Sequence, residues 1–144
     1  MTYKQFKIFL DFDGTITKND VGEEIFRKIL NEDIVNKIIE ELVTDKISSR
    51  ECWEKLCELS LIKVKKEFDD LILSQQIDPT LHRFIEYYEA NSFQLYILSD
   101  GFDYYIDKIL NRENLSHLKV FSNKLTLTND GKLIPSFPYY NADC

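Results

Sequence analysis

Asp11-Phe12-Asp13-Gly14-Thr15 sets two carboxylates one residue apart, directly after the apolar run Ile8-Phe9-Leu10. That run reads as a short buried strand. Like charges so close repel, and each raises the other's pKa. A bound Mg²⁺ removes the penalty, because it is a hard cation that prefers oxygen ligands. Gly14 lets the chain turn sharply after the strand, and Thr15 supplies a hydroxyl at the same point. The layout suits attack on a phosphoryl group. Asp11 is the candidate nucleophile, forming an aspartyl-phosphate. Asp13 is the candidate general acid, protonating the leaving alcohol and later activating water. Mg²⁺ held at Asp11 and Asp13 would neutralise phosphate oxygens and orient in-line attack. The plain alternative is a surface Asp-x-Asp turn. Phe6, Ile8, Phe9 and Leu10 ahead of it, and Gly-Thr behind it, weigh against that.

A second group of residues stands where another strand should end. Phe93-Gln-Leu-Tyr-Ile-Leu98 is a continuous apolar run, followed by Ser99-Asp100-Gly101. A helix is expected from about Phe102, carrying Tyr105, Ile106, Ile109 and Leu110. Strand, glycine-containing turn and helix is the unit that gathers backbone N–H groups around an anion. Ser99 can hydrogen-bond a phosphate oxygen, with the N–H groups of Asp100 and Gly101 beside it. In open α/β sheets, ligands bind at the carboxyl ends of the strands. Asp20 carries two readings: an N-cap paired with Glu23 three residues on, or a substrate-facing group where the chain enters the helical region. Trp53 and Cys57 share a helix face and read as core. His82 and His117 lack partners at metal-ligand spacing. The pairs Tyr87-Tyr88, Tyr104-Tyr105 and Tyr139-Tyr140 read as one ring in and one ring out.

The elements that must position these residues follow from periodicity and caps. Lys7 to Asp11 is the first strand. Val21 to Leu30, Ile34 to Val43, Glu51 to Leu59 and Val64 to Leu73 read as four amphipathic helices. Ser48 stands three before Glu51, a second capping-box spacing. Asp78-Pro79 opens another helix, with Asp at the N-cap and Pro at its first position. Leu118 to Phe121 reads as a third parallel strand. Leu125 to Thr128, the turn Asn129-Asp130-Gly131 and Lys132 to Ile134 read as a separate hairpin. Residues 16–76 are nearly all helical. A single crossover needs about a dozen residues, and this stretch is far longer. It is read as a helical cap inserted into an α/β, Rossmann-like core made of 1–15 and 77–144; the alternative is that its helices pack on the sheet as crossovers.

The 144 residues suffice for one good core. A net charge of −7 argues against general binding to nucleic acid or anionic membranes. Apolar runs are far shorter than a bilayer span, and no signal-peptide pattern opens the chain. Cys52, Cys57 and Cys144 suggest reduced thiols in a cytoplasmic protein.

Asp11-Phe-Asp-Gly-Thr15 resembles motif I of the haloacid dehalogenase (HAD) phosphotransferase superfamily. The strand ending at Ser99-Asp100-Gly101 resembles its motif II. Phe121 through Lys132 is similar to the segment that follows motif II in phosphoserine phosphatases, and the helical insert matches that branch's cap. Asp20 matches the place of a substrate-facing Glu in those enzymes. Ile97-Leu-Ser-Asp-Gly-Phe-Asp103 and Phe137-Pro-Tyr-Tyr-Asn-Ala-Asp-Cys144 look nearer to the methionine-salvage branch, whose members dephosphorylate a hydroxy-keto-methylthiopentenyl phosphate. The resemblance implies Mg²⁺-dependent hydrolysis of a small phosphorylated metabolite. The runner-up substrate is phosphoserine. The superfamily also carries a motif III Lys and a motif IV acidic metal ligand. Lys119, Lys124 and Lys132 come too early for the former, so the sequence resembles the first two-thirds of such an enzyme. A weakly active chain, or a non-catalytic remnant that binds phosphate or a partner, is the alternative from another class. With no neighbour on its far side, the strand Phe6 to Leu10 would expose an apolar edge that invites a homodimer.

Overall fold

The computed structural model of the chain describes residues 6–141. Four strands form one sheet in the order β1-β2-β3-β4. They are β1 (Lys7–Leu10), β2 (Gln94–Phe102), β3 (Lys119–Leu127) and β4 (Leu133–Ser136). β1 and β2 run parallel, with Leu10 opposite Ile97, and β2 and β3 run parallel, with Leu98 opposite Phe121. β3 and β4 are antiparallel. The expected third strand and first hairpin arm are therefore one strand. Its early residues pair with β2 and its later ones with β4, so no break separates them.

Helices α5 (Leu81–Ala90) and α6 (Asp103–Arg112) pack on this sheet. Ile97, Phe102, Ile106 and Ile109 are fully buried there. α5 begins two residues later than the Asp-Pro pattern suggests. Asp78 Oδ1 accepts the N–H of Thr80 at 2.8 Å and its hydroxyl at 2.5 Å. That local bond closes a turn through Pro79, and Leu81 becomes the first helical residue.

Four helices lie between β1 and α5: α1 (Val21–Ile29), α2 (Glu32–Val43), α3 (Ser49–Leu59) and α4 (Lys65–Leu73). Both N-caps read for these four helices are present. Asp20 accepts from Glu23 N–H at 2.8 Å, and Ser48 and Glu51 form a reciprocal capping box. At Asp20 the box is only half made, since Glu23 is drawn instead to Arg27 four residues on. Val21, Ile25, Val35, Leu56, Phe68 and Ile72 form the apolar interior of this block.

The block joins the sheet layer at three places. The chain leaves and returns side by side: Thr17 and Ile77 form an antiparallel bridge, and Lys18 N–H donates to Gln76 O at 2.9 Å. At the far end, Ile62 N–H donates to Gly131 O at 2.8 Å. A Cβ on Gly131, whose φ is +86°, would collide with the Ile62 carbonyl oxygen. On the flank, Tyr104 and Lys108 of α6 reach Asp69 of α4 at 2.8 and 3.3 Å. Arg112 donates to the carbonyls of Leu73 and Gln75, just past the end of α4.

β1 lies at the sheet's edge, with Phe6 and Phe9 58% and 54% exposed. Cys52 and Cys57 are free and buried. Burial pushes their thiols up to about 11 and about 12, which leaves them unreactive. Cys144 lies outside the described residues. Among the described residues no helix is long and apolar enough to cross a membrane.

Candidate active site

Pairing of Leu10 with Ile97 brings the turn after β1 beside Ser99, Asp100 and Gly101. These three do not form the expected turn: β2 runs on through them to Phe102, with its register against β3 shifted between Leu98 and Phe102. Ser99 Oγ lies 3.4 Å from Asp13 Oδ2. The two sequence motifs, 86 residues apart, thus form a single site.

The turn after β1 is fixed by its own hydrogen bonds. Gly14 adopts φ +70°, a conformation that favours glycine. Thr17 is buried; its N–H donates to Phe12 O at 3.1 Å, and its Oγ1 accepts from Gly14 N–H at 3.2 Å. Thr17 was not visible as a site residue from spacing alone, although a buried hydroxyl must find partners.

Asp11 and Asp13 leave this turn into different surroundings. Asp11 is exposed, and its Oδ1 accepts from its neighbour's Phe12 N–H at 2.7 Å. Asp13 is largely enclosed. Its Oδ1 accepts from Val21 N–H at 2.8 Å and Gly22 N–H at 3.4 Å, the first amides of α1. Its Oδ2 accepts from the Tyr105 hydroxyl at 2.7 Å. Burial is the main cause that pushes the Asp13 carboxyl up to about 6, against the Tyr105 and amide hydrogen bonds that lower it. The helix end explains part of the placement, since free N–H groups there attract carboxylates. Asp20 sits at the same end of α1 and is also raised, by burial first and then by the charges of Glu23 and Asp11.

Ser99 and Gly101 form the other wall. Gly101 N–H donates to Ser99 Oγ at 3.0 Å. Gly101 is buried, and a Cβ there would overlap the Tyr105 hydroxyl and stand 2.5 Å from Asp13 Oδ2. The Asp100 side chain turns toward the helical block. It accepts from the Ser49 hydroxyl, from Trp53 Nε1 at 3.3 Å and from Asn123 Nδ2 at 3.2 Å. Trp53 also packs on Gly22, where a Cβ would come within 2.5 Å of the ring, and on Phe102 at 5.1 Å. One indole therefore touches the start of α1 and the end of β2.

Next to Ser99 and Asp100 opens a cavity of about 700 Å³. Its walls include Phe121, Phe137, Tyr139 and Tyr140, with Ser48, Ser49 and Arg50 from the start of α3. The Arg50 guanidinium lies 4.5 Å from the Tyr140 ring and pairs with Glu54 at 2.8 Å.

A family model described as Putative Phosphatase matches residues 6–144, almost the entire chain. The chain belongs to this phosphatase family. Pdp3-interacting factor 1 of Schizosaccharomyces pombe is 27% identical over 134 residues, which cover 90% of this chain and 58% of that protein. The 2-hydroxy-3-keto-5-methylthiopentenyl-1-phosphate phosphatase of Brevibacillus brevis is 30% identical over 121 residues, 83% of this chain and 54% of that enzyme. The chain thus spans a little over half the length of these two relatives. A HAD family hydrolase from Salmonella enterica serovar Typhi superposes with a TM-score of 0.78 at 19% identity, over 92% of this chain and 45% of that one. The fold of this chain is the HAD fold, as the motif resemblance implies. The residues named from the sequence gather as follows: Asp13, Asp20, Ser99 and Gly101 around the start of α1 and the end of β2, Asp11 at the solvent side, and the Asp100 carboxylate bonded to Ser49, Trp53 and Asn123.

Proposed function

We propose that this chain carries the nucleophile, the general acid and the phosphate-binding segment of a Mg²⁺-dependent phosphomonoester hydrolase. The observation that carries the reading is the unlike settings of Asp11 and Asp13. An exposed carboxylate is free to attack. A half-buried one, with its carboxyl pushed up to about 6, holds a proton within reach of neutral pH.

Asp11 attacks phosphorus, the bond from phosphorus to the leaving oxygen breaks, and the proton of Asp13 passes to that oxygen. Asp13, now a carboxylate, takes a proton from water, whose oxygen displaces Asp11 and releases inorganic phosphate. Ser99 Oγ and the N–H of Gly101, now bonded to each other, turn toward the phosphate oxygens. Mg²⁺ supplies positive charge that screens the phosphate dianion from Asp11, Asp13 and Asp20. Asp11, through its carboxylate, and Asp13 are the residues that would hold it, an all-oxygen set of the kind Mg²⁺ prefers. They would supply only part of its ligands. Among the described residues no cluster of three or more acidic, His or Cys groups could hold a metal ion. The partner in the reaction is a small phosphorylated metabolite whose organic part lies in the cavity beside Phe121 and Tyr140.

The methionine-salvage enol phosphate is the first substrate reading, supported by the Brevibacillus relative. Phosphoserine is the second, favoured by Arg50 in the cavity wall, since a guanidinium pairs well with a carboxylate. The test is chemical trapping. Residues 1–144 are mixed with Mg²⁺ and a radiolabelled phosphomonoester, quenched in acid and denatured. Base-labile label is expected on the wild type and none on Asp11→Asn. Label that survives Asp11→Asn removes Asp11 as nucleophile. Phosphate binding without label favours the non-catalytic alternative. Turnover of an aryl phosphate by residues 1–144 is expected to be slow, because two charged contacts of the family's motifs III and IV are not among them, and one such contact is typically worth about 10²–10³-fold.

A further inference from the structure

Asp13 is held by two short hydrogen bonds from different elements. Val21 N–H of α1 fixes Oδ1 at 2.8 Å, and the Tyr105 hydroxyl of α6 fixes Oδ2 at 2.7 Å. The contacts from Gly22 and Ser99 are both longer, at 3.4 Å. Two bonds on two oxygens define the plane of a carboxyl group; one alone leaves it free to swing.

We propose that Tyr105 is a positioning residue that aims Asp13 Oδ2 at the leaving group, so that esters with poor leaving groups depend on it most. This rests on the hydrolase reading above. The phenol is 2% exposed, on the first turn of α6. It passes over Gly101, and the space a Cβ would need there is the space the hydroxyl occupies. A carboxyl oxygen has two lone-pair directions. Tyr105 takes one on Oδ2. The same oxygen is the one nearest Ser99 Oγ, so its remaining direction faces the phosphate-binding segment. Burial and the Asp13 charge hold the Tyr105 phenol well above its usual range, so it remains a donor throughout the cycle. Tyr105 touches no reacting atom; it acts through Asp13.

Protonation of the departing oxygen matters most when that oxygen is a poor leaving group. An alkoxide needs the proton, whereas p-nitrophenolate leaves with little help. Loss of the aim should therefore fall unequally on the two kinds of ester, and a general loss of folding should not. General-acid assistance is typically worth about 10²–10⁴-fold. Tyr105→Phe should forfeit at least about tenfold of it in the rate at which an alkyl phosphate phosphorylates Asp11, the step in which Asp13 gives its proton. KM should be unchanged, and p-nitrophenyl phosphate should lose less than about threefold.

The experiment has two arms on residues 1–144, with Tyr88→Phe as a control that removes another buried phenol, one bonded to Gln94 O at 2.8 Å. In the first, ¹H–¹⁵N spectra follow the Val21 and Gly22 amides. Tyr105→Phe is expected to shift both peaks toward their positions in Asp13→Asn and to speed Val21 hydrogen exchange, while Tyr88→Phe leaves them in place. Unmoved amides in Tyr105→Phe overturn the proposal. Should that variant not fold, the wild-type Tyr105 hydroxyl proton decides: a slowly exchanging resonance with a cross-relaxation peak to the Asp13 β-protons supports it, and no such peak overturns it. In the second arm, pre-steady-state rates of Asp11 labelling by glycerol 1-phosphate and of p-nitrophenolate release from p-nitrophenyl phosphate are compared at saturating Mg²⁺, since the later hydrolysis at Asp11 uses Asp13 as base whichever ester was the donor. Equal losses on both overturn the aiming role. A wild type that neither turns over nor becomes labelled removes the hydrolase reading, while the amide shifts still judge the hold of Tyr105 on Asp13.

Discussion

Gly101 faces Asp13 across a gap that no side chain fits: a Cβ built on the glycine stands 2.5 Å from Asp13 Oδ2. Gly101→Ala is therefore expected to push Tyr105 and Asp13 apart. Overpacking of this kind costs about 1–3 kcal/mol. Thermal melts should show the loss, and Gly101→Ala combined with Tyr105→Phe should recover part of it, because the nearest of the three clashing atoms is gone.

Asp13 also sets a pH dependence. Its folded-state carboxyl, raised from 3.8 to about 6, binds a proton more tightly than in the unfolded chain. The stabilisation from that proton is complete below about pH 4 and is lost as pH rises through about 6. Asp20 is raised too and adds a slope of the same sign. With chelator present, wild type should lose about 1 kcal/mol more than Asp13→Asn between pH 5 and pH 7 in urea titrations. Parallel curves for the two proteins would mean that Asp13 titrates normally.

Asp20 caps α1 and stands near Asp11, and two substitutions separate those roles. Asp20→Ala removes the cap and should cost about 1 kcal/mol. Asp20→Asn keeps an acceptor for Glu23 N–H and relieves repulsion, so its melting temperature should match or exceed that of the wild type. A raised KM in Asp20→Asn, at undiminished stability, is the expected sign that the carboxylate faces substrate.

Trp53 is the protein's single tryptophan, so its contact with Asp100 can be read by fluorescence. Asp100→Ala strips the indole N–H and the Ser49 hydroxyl of their shared acceptor. Emission should shift to longer wavelength and acrylamide should quench it more readily. The cost in stability should be about 1 kcal/mol. An unchanged spectrum would show that packing on Gly22 and Phe102 alone seats the ring.

The edge of β1 gives the last expectation. Among the described residues β1 pairs on one side only, with two phenylalanines more than half exposed. Light scattering should find concentration-dependent self-association of residues 1–144, and Phe9→Lys should suppress it. A wild type monomeric at every concentration would show that the edge attracts nothing.

Much of this was legible in the sequence because it is local. The Ser48–Glu51 box and the Asp20 cap are settled by bonds that span three residues. The two polar, glycine-containing segments that meet at the site follow from the apolar runs before them, although only the first is a turn and Ser99 to Gly101 continue β2. Asp78 misled because its side chain closes a turn on Thr80, a competitor to the helix cap within the same few residues. β3 was divided in two because alternation shows that a residue lies on a strand, not which neighbour the strand changes to. Tyr105 was not legible as a site residue. Its spacing along α6 is that of a core position, and its partner Asp13 lies 92 residues away. Nothing local distinguishes a phenol that packs from one that also donates.

The bridge between Thr17 and Ile77 has a consequence for how this protein could be taken apart. Since the chain departs and comes back side by side at this isolated bridge, residues 18–76 could be excised and the cut ends joined by a short turn, with the sheet and its two outer helices left in register. By topology the helical block is a detachable module. Chemically it is not, because Val21 and Gly22 lie inside the excised stretch and their amides hold Asp13. A minimal sheet core made this way is expected to retain Asp11 and Ser99 while its acid swings free, so cap and core must be exchanged between relatives as a pair.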